Sequence, residues 1–357
     1  MGEFASFKKQ WCAPLLAGPL LAALCSMMVA AADLSLETVT PPPANVPDEP
    51  MAGGFSLERA VAFLDQAALD WTKSRQCFTC HTNYLYLIAR PMYDSSALAH
   101  QQVRQALETL VEKRWIERGP RWDAEVVMSA AVLAINDRLT TGRLHPTTRK
   151  ALDRMWQVQR PDGGVNWLKC DWPPMESDDD FGVTVMLLAA LAAPDNYCHT
   201  PEAQAGLAKI RGYLERHPPP TLHHRAMLLW ADSFSRDLLP PDRRQAIIDE
   251  LFATQHPDGG WNLATLGDWK RADGTPQDLS APDGYGTGFA VFVLRQAGVP
   301  ANDARIAAAL RWLTNNQRAS GRWFTRSLHK DSKHFITHAG TAFAVMALQA
   351  CQTEPSP

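Results

Sequence analysis

The stretch Gln255-His256-Pro257-Asp258-Gly259-Gly260-Trp261 decides the fold, because it recurs at two other points of the chain. A second copy is Gln159-Arg160-Pro161-Asp162-Gly163-Gly164-Val165, with Trp167 just beyond it. A third, shorter copy is Gln317 followed by Gly321-Arg322-Trp323. In such a stretch a glutamine caps a helix end, Asp-Gly makes a tight turn, and the tryptophan packs on the neighbouring unit. Three copies at equivalent points predict a repeated architecture.

Helices of two kinds alternate between these linkers. The first kind mixes charged and apolar residues at helical spacing, which predicts an amphipathic helix with one solvent-exposed face. These helices are 57–72, 97–115, 147–159, 201–217, 241–254 and 303–315. The second kind is nearly free of charge, which predicts burial on all sides. These are 81–89, 124–135, 183–193, 225–234, 286–296 and 340–350. Strict alternation of six and six favours an all-α (α/α)6 toroid, six outer-inner hairpins around a ring, over an irregular solenoid.

Length, composition and charge limit the number of domains and the possible function classes. The chain has 357 residues, 46% of them hydrophobic, which is enough for one large domain or two small ones. Its formal net charge is -3 and it contains no basic run, so nucleic-acid binding is excluded as a function class.

The N-terminus has the pattern of a secretion signal. Lys8 and Lys9 precede an apolar run over 11–29, and Ala30-Ala31-Ala32 offers small residues for cleavage. A retained membrane anchor is the alternative, which the prolines within and after the run disfavour. We therefore predict a signal peptide over 1–32, an extended proline-rich tether over 33–54 and a single toroid over 55–352. The protein is expected to be periplasmic or secreted from a bacterium, cleaved near Ala32, with no membrane-spanning segment afterwards.

The linkers resemble the QW repeats of squalene-hopene cyclases and their relatives, whose pattern is Gln, two residues, Asp-Gly, one residue and Trp. The copy at Gln255 matches fully, while Val165 replaces Trp and Ser320 replaces Asp in the other two. The resemblance covers essentially all of 55–352. It implies one toroid with a central apolar cavity, suited to an isoprenoid-like ligand.

Polar residues gather at the first turns of the inner helices. Because these helices run in the same direction, their first turns form one rim of the ring. The rim residues are His81, Asp123, Glu125, Glu176, Asp178, Asp179, Asp180, His223, His224, Asp283, Tyr285, His334 and His338. Acids at helix N-termini often only cap free amides and interact favourably with the positive end of the helix dipole. Histidines gain nothing from the helix dipole at that position. The histidines therefore predict a site.

The segment Cys77-Phe78-Thr79-Cys80-His81 matches a haem-c attachment motif. Thiols at the spacing of Cys77 and Cys80 can add to haem vinyl groups while His81 ligates the iron. Zinc or another metal ion, and a disulfide or redox dithiol, are the alternatives. If haem is bound, the candidates for its distal ligand are His338, His334, His223, His224 and Met175. The leading functional hypothesis is a redox or electron-transfer role, with a periplasmic electron-transfer partner and an apolar ligand in the cavity.

The other cysteines leave the disulfide pattern open. Cys12 and Cys25 fall in the predicted signal, and Cys170, Cys198 and Cys351 allow one pair and one remaining thiol. The sequence does not select that pair.

Two further functions remain open. The segment Glu176-Ser177-Asp178-Asp179-Asp180 resembles the Asp-x-Asp-Asp motif of class II terpene cyclases, which implies Glu176, Asp178 and Asp179 as catalytic acids of a haem-free isomerase. Four acids in five residues would share charge and water, which disfavours alkene protonation. Asp283-Gly284-Tyr285 resembles the zinc-binding Asp-Gly-Cys turn of protein prenyltransferases, without its cysteine. With His81, His334 and His338, Asp283 completes the set of candidate metal ligands for a non-catalytic binding module.

Overall fold

The computed structural model describes residues 34–75, 77–168, 172–176 and 178–352. Within these ranges the chain is helical and contains no strand, only isolated bridges between Met51 and Arg318 and between Trp172 and Met175. The predicted signal peptide, Cys170 and Ser177 lie outside the described residues. No described helix is long and apolar enough to cross a membrane.

The described helices alternate between an outer and an inner ring. The outer helices are α1 (Leu57–Arg75), α3 (Leu98–Thr109), α5 (Pro146–Val158), α7 (Pro201–Arg216), α9 (Pro241–Ala253) and α11 (Ala304–Asn315). The inner helices are α2 (Asn83–Tyr93), α4 (Asp123–Thr140), α6 (Asp179–Ala192), α8 (Leu222–Asp232), α10 (Gly284–Gln296) and α12 (Phe335–Gln352). A π-turn (Leu110–Arg114) and a short helix (Trp115–Arg118) extend α3.

The inner helices close a ring. Each inner helix contacts the next, and α12 contacts α2. Their burial follows from their composition, since in α10 every residue from Gly284 to Arg295 is buried. Aromatic rings of consecutive inner helices pack on one another, as where Tyr285 and Phe289 of α10 meet Phe343 of α12 at centroid distances of 5.5 and 5.1 Å. The predicted all-α toroid is confirmed, and the ligand-binding central cavity stays a prediction.

The fully matching linker shows how a repeat is joined to the next. Gln255 Nε2 donates to the carbonyl oxygens of Gly259, at 2.8 Å, and of Arg305 in the first turn of α11, at 2.9 Å. Trp261 is completely buried, and its Nε1 donates to the Leu251 carbonyl at 2.7 Å. The linker thus ties α9, its own turn and the following outer helix together.

The other two linkers repeat this arrangement. Gln159 Nε2 donates to the Gly206 carbonyl in α7 at 3.2 Å. Gln317 Nε2 donates to the carbonyls of Ser56, at 2.8 Å, and Gly321, at 2.9 Å, while Gln317 Oε1 accepts from the Ser56 amide at 2.8 Å. Because Ser56 directly precedes α1, the last linker closes the ring between its two ends.

Residues 34–54, the predicted tether, form a strap on the toroid surface. Buried Arg322 donates to the carbonyl oxygens of Pro43, at 3.0 Å, and Ala44, at 2.6 Å, and pairs with Glu49. The Ala52 amide donates to the Gln317 carbonyl at 2.8 Å. The strap contains turns at 36–38 and 47–48, and it is hydrogen-bonded to the last linker.

Candidate functional site

Three side chains from different repeats form a hydrogen-bonded chain at the rim, here called the relay. Glu176 Oε1 lies 2.8 Å from His223 Nδ1, and His223 Nε2 lies 2.8 Å from the Tyr285 hydroxyl. All three residues are buried, with His223 and Tyr285 completely inaccessible. A carboxylate, an imidazole and a phenol in series can orient and move a proton.

Helix capping places the relay. Thr221 precedes α8 and caps it by accepting from the His224 amide at 3.0 Å, which sets His223 in the first turn. The Thr221 hydroxyl also contacts both Glu176 oxygens, at 2.8 and 3.0 Å. Asp283 caps α10 by accepting from the Gly286 amide at 2.8 Å, which positions Tyr285 in the first turn of that helix.

Electrostatics assigns the protons of the relay. Burial alone would raise the pKa of Glu176, but hydrogen bonds from His223 and Thr221 and the charge of His223 outweigh it, so this pKa lies below its ordinary value. Glu176 is therefore an ionised acceptor for His223 Nδ1–H. When His223 is neutral, this bond leaves Nε2 as the acceptor for the Tyr285 hydroxyl. Burial, reinforced by the charge of Glu176, raises the pKa of Tyr285 well above its ordinary value, so it is a phenol at neutral pH.

A second carboxylate–imidazole pair lies beside the relay. His224 Nδ1 is 3.1 Å from Asp180 Oδ2, and His224 Nε2 is 2.7 Å from the Thr184 hydroxyl. Because His223 and His224 are adjacent in α8, the two pairs share one turn of helix. Phe181 packs against both imidazoles, with its ring 5.9 Å from His223 and 5.4 Å from His224.

A groove of about 850 Å³ opens next to the relay, between α8 and the long loop before α10. Thr221 and Trp269 line this groove, and both also contact the relay. The buried Trp269 indole lies edge-on to His223 at 5.7 Å and separates it from the groove. Sequence reasoning missed both residues. The helix-start position of Thr221 was a usable signal for it, whereas the loop around Trp269 has no periodic pattern.

The acidic cluster does not act as one unit. Glu176 belongs to the relay, and Asp179 accepts from Arg160 Nη1 at 2.8 Å and from the Trp167 amide at 3.2 Å. Asp178 is exposed at the start of α6, while Asp180 pairs with His224. The structure therefore disperses the predicted catalytic acids over separate partners.

The three predicted metal-ligating histidines do lie together. The His334 ring centroid is 5.5 Å from that of His81 and 4.2 Å from that of His338, and Trp71 packs edge-on to His81 at 5.1 Å. Burial lowers the pKa of His81 to about 3 and that of His334 to about 4, and it lowers the pKa of His338 well below its ordinary value. All three imidazoles are therefore neutral at physiological pH.

Asp283, the fourth candidate ligand, is engaged elsewhere. Besides capping α10, its carboxylate accepts from the Leu263 amide at 2.7 Å and the Thr325 hydroxyl at 3.0 Å. Burial raises the pKa of Asp283 to about 6 even though these hydrogen bonds oppose the rise. Among the residues that the structure describes, no group of three or more His, Cys, Asp or Glu is arranged to hold a metal ion.

The cysteine motif forms a turn ahead of α2. Asn83 clamps it by donating to the Cys77 carbonyl at 2.9 Å and accepting from the Thr79 amide at 2.8 Å. The His81 ring is packed against the rings of Trp71 and Phe335, the latter at 4.6 Å. The His81 side chain is partly exposed, and its Nδ1 lies 2.7 Å from the Thr82 hydroxyl. Covalent haem c, or zinc, at this turn stays a prediction from the sequence.

Comparison with known proteins finds relatives at the level of fold. No protein-family model matches the chain, and no curated protein matches its sequence. A GH76A α-1,6-mannanase from Salegentibacter sp. HEL1_6 is similar, with 11% identity, a TM-score of 0.52 and coverage of 83% of this chain and 99% of that one. A glycosidase variant has 12% identity, a TM-score of 0.52 and coverages of 82% and 97%. A polysaccharide lyase has 13% identity, a TM-score of 0.50 and coverages of 83% and 96%.

These findings correct the functional hypothesis. The haem-dependent redox role predicted from Cys77, Cys80 and His81 is wrong, because the similar toroids are glycosidases and a lyase and the described residues contain no metal-holding group. A five-residue pattern carries no information about the space around it, and here the histidine packs against the rings of Trp71 and Phe335. For this chain the comparisons establish the fold, an α/α toroid.

Proposed function

We propose that the protein is an enzyme that cleaves glycosidic bonds of a polysaccharide, with the relay as its acid–base machinery. The proposal rests on the Tyr285 hydroxyl, which lies 2.8 Å from the His223 imidazole. The Glu176 carboxylate orients this imidazole from its other side, also at 2.8 Å. Side chains are arranged in this way where a hydroxyl exchanges a proton during catalysis. The substrate class is supported by the glycosidases and the lyase that share the toroid.

The relay favours elimination over hydrolysis. Hydrolysis by two carboxylates needs one of them neutral as a general acid, whereas the lowered pKa of Glu176 keeps it ionised. A phenol–imidazole pair can instead take the proton from the carbon beside a uronate carboxylate, with His223 accepting the hydroxyl proton of Tyr285 as the phenolate oxygen takes the carbon-bound proton. The electron pair of that C–H bond forms a C=C bond, the C–O bond to the next sugar breaks, and the leaving oxygen receives the proton that the His223–Tyr285 pair has taken up.

The groove beside the relay supplies the binding surface. Its volume of about 850 Å³ lies in the range that accommodates a short oligosaccharide. Exposed Lys270 on its wall offers a cation for a uronate carboxylate. Because Trp269 separates the groove from His223, the indole must swing aside for the substrate to reach Tyr285.

The test is incubation with a panel of uronate-containing and neutral polysaccharides. We expect one uronate polymer to give products with the ultraviolet absorbance of a conjugated C=C bond. Tyr285→Phe, which removes only the hydroxyl, should reduce the rate about 100-fold or more. The matched control is Tyr93→Phe at the end of α2, which should leave the rate unchanged. Cleavage that persists in Tyr285→Phe would overturn the role of the relay.

A second candidate is glycoside hydrolysis by the adjacent aspartates. A variant of the similar mannanase in which two adjacent aspartates are replaced by asparagine is described as inactive. This chain has Asp178, Asp179 and Asp180 in sequence at the start of inner helix α6. Products with new reducing ends but no new absorbance, lost in Asp178→Asn and retained in Tyr285→Phe, would select this mechanism.

We also propose that the toroid is related to the squalene-hopene cyclases. The equivalent hydrogen bonds of Gln159, Gln255 and Gln317 support descent from a QW-repeat toroid of the squalene-hopene cyclase kind. Predicted export, with cleavage near Ala32, would place the enzyme where extracellular polysaccharides are met. Sequencing the N-terminus of the exported protein tests that placement.

A further inference from the structure

A second groove lies on the outer face of the first repeat, far along the chain from the relay. Here called the outer groove, it has a volume of about 790 Å³ and lies between the strap, the end of α1 and helix α3. Its floor is apolar and consists of partly exposed Leu36, Phe78 and Ala106 together with buried Leu110. Because this apolar floor is partly exposed to solvent, it favours binding of an apolar ligand that covers it.

The wall of the outer groove carries exposed cations. Lys113 and Arg118 are exposed on its wall, and neither has a carboxylate within ion-pair distance among the described residues. Arg114 pairs with Glu125, yet its Nη1 is buried without a hydrogen-bond partner in the described part of the chain. Glu117 is the only acid among the described lining residues. The charge on this wall is therefore positive and largely uncompensated.

The shape of α3 brings the apolar and cationic parts into line. The π-turn Leu110–Arg114 inserts one extra residue into the helix, which shifts the phase of the residues after it. Ala106, Leu110 and Lys113 share one face of the helix at ordinary helical spacing and line the groove. In a straight helix Arg118 would lie about 120° away from Ala106, and the extra residue turns it toward the same groove.

We propose that the outer groove binds a single-chain anionic amphiphile, an alkyl chain with a carboxylate or phosphate head. The chain lies on Phe78, Ala106 and Leu110, and the head meets Lys113 and Arg118. Charge complementarity selects an anion over a neutral or cationic head, and the apolar floor selects a chain over a small anion. Because Phe78 belongs to the Cys77–Cys80 turn, the ligand would touch that turn directly.

The experiment is calorimetric titration of the full chain with dodecanoate and dodecyl phosphate below their micelle concentrations. We expect saturable binding of one molecule per chain, with dodecyl maltoside and acetate binding at least about tenfold more weakly. The exposed double variant Lys113→Glu/Arg118→Glu should weaken dodecanoate binding about tenfold or more. Lys209→Glu/Arg211→Glu on α7 makes the same charge change elsewhere and should leave the affinity unaltered.

A second variant tests the apolar floor separately. Ala106→Trp fills the groove from a partly exposed position and should abolish binding, while the circular dichroism spectrum stays unchanged. Equal affinity for dodecyl maltoside, or undiminished dodecanoate binding by Ala106→Trp, would overturn the proposal. Binding to vesicles of anionic phospholipid without binding to monomeric dodecanoate would also overturn it and identify a membrane surface instead.

Discussion

Replacing Gln317 with alanine tests how the ring is closed. The Gln317 side chain, 1% exposed, makes three hydrogen bonds, two with the Ser56 backbone and one with the Gly321 carbonyl. At about 1 kcal/mol for each hydrogen bond lost, Gln317→Ala should lower the free energy of unfolding by about 3 kcal/mol. Gln255 makes two such bonds to Gly259 and Arg305, so Gln255→Ala should cost about 2 kcal/mol.

Urea denaturation of the two variants measures the difference. Gln245→Ala is the control, because within the described residues the side chain of exposed Gln245 bonds only to the Asp249 side chain, and its loss should lower the free energy of unfolding by under about 0.5 kcal/mol. Hydrogen exchange adds a local readout, since the Ser56 amide loses its acceptor only in Gln317→Ala. A cost for Gln317→Ala equal to or below that of Gln255→Ala, with the Ser56 amide still protected, would refute this account of ring closure.

Three further predictions concern the site, a turn and the strap. Hydrogen bonds and charge hold the pKa of Glu176 below 4.5, so its ionised form stabilises the fold above that pH and the contribution is lost as the pH falls further. The urea midpoint of the wild type should therefore drop more steeply below pH ~4.5 than that of Glu176→Gln. Gly259 and Gly274 have φ of +97° and +73°, but only a Cβ at Gly259 would meet backbone, 2.6 Å from the Ala308 carbonyl carbon. Alanine at Gly274 should lower the free energy of unfolding, measured by denaturation, by about 1 kcal/mol, and alanine at Gly259 should lower it by at least about 1 kcal/mol more. Equal decreases would contradict the close approach of Gly259 to the Ala308 backbone. Arg322→Lys cannot hold Pro43, Ala44 and Glu49 together, so limited proteolysis should cut the strap faster than in Arg305→Lys, and equal rates would argue against strap docking by Arg322.

The toroid was predictable because its helices differ in composition. Prediction over 147–159 and 201–217 matches Pro146–Val158 and Pro201–Arg216 closely, since outer helices keep one charged face. The first inner helix was predicted from residue 81 but begins at Asn83. Its Asn83 side chain bonds Cys77 and Thr79, which holds the cysteine motif as a turn before the helix. Side-chain clamps of this kind leave no periodic signal.

The candidate site was only partly predictable. Placing Glu176, His223 and Tyr285 on one rim followed from the common direction of the inner helices. Their pairing did not follow, because the contacts join residues 47 and 62 positions apart, and local patterns carry no such information. Trp269 was missed for a related reason, since its loop takes its conformation from packing on α8. The sequence therefore predicts the ring and the rim, and the structure shows which rim residues meet.

The most direct test of the central claim is a double-mutant cycle on the relay, measured as the rate of polysaccharide cleavage. When side chains act as a unit, the effects of their substitutions on the rate are not additive. The loss of rate caused by one substitution then already includes the loss caused by the other. If Tyr285, His223 and Glu176 pass one proton, Tyr285→Phe should slow cleavage about 100-fold or more, and Tyr285→Phe/Glu176→Gln should be no slower than Tyr285→Phe alone. Fully multiplicative losses, or wild-type cleavage by Tyr285→Phe, would contradict the claim that these side chains form the active site.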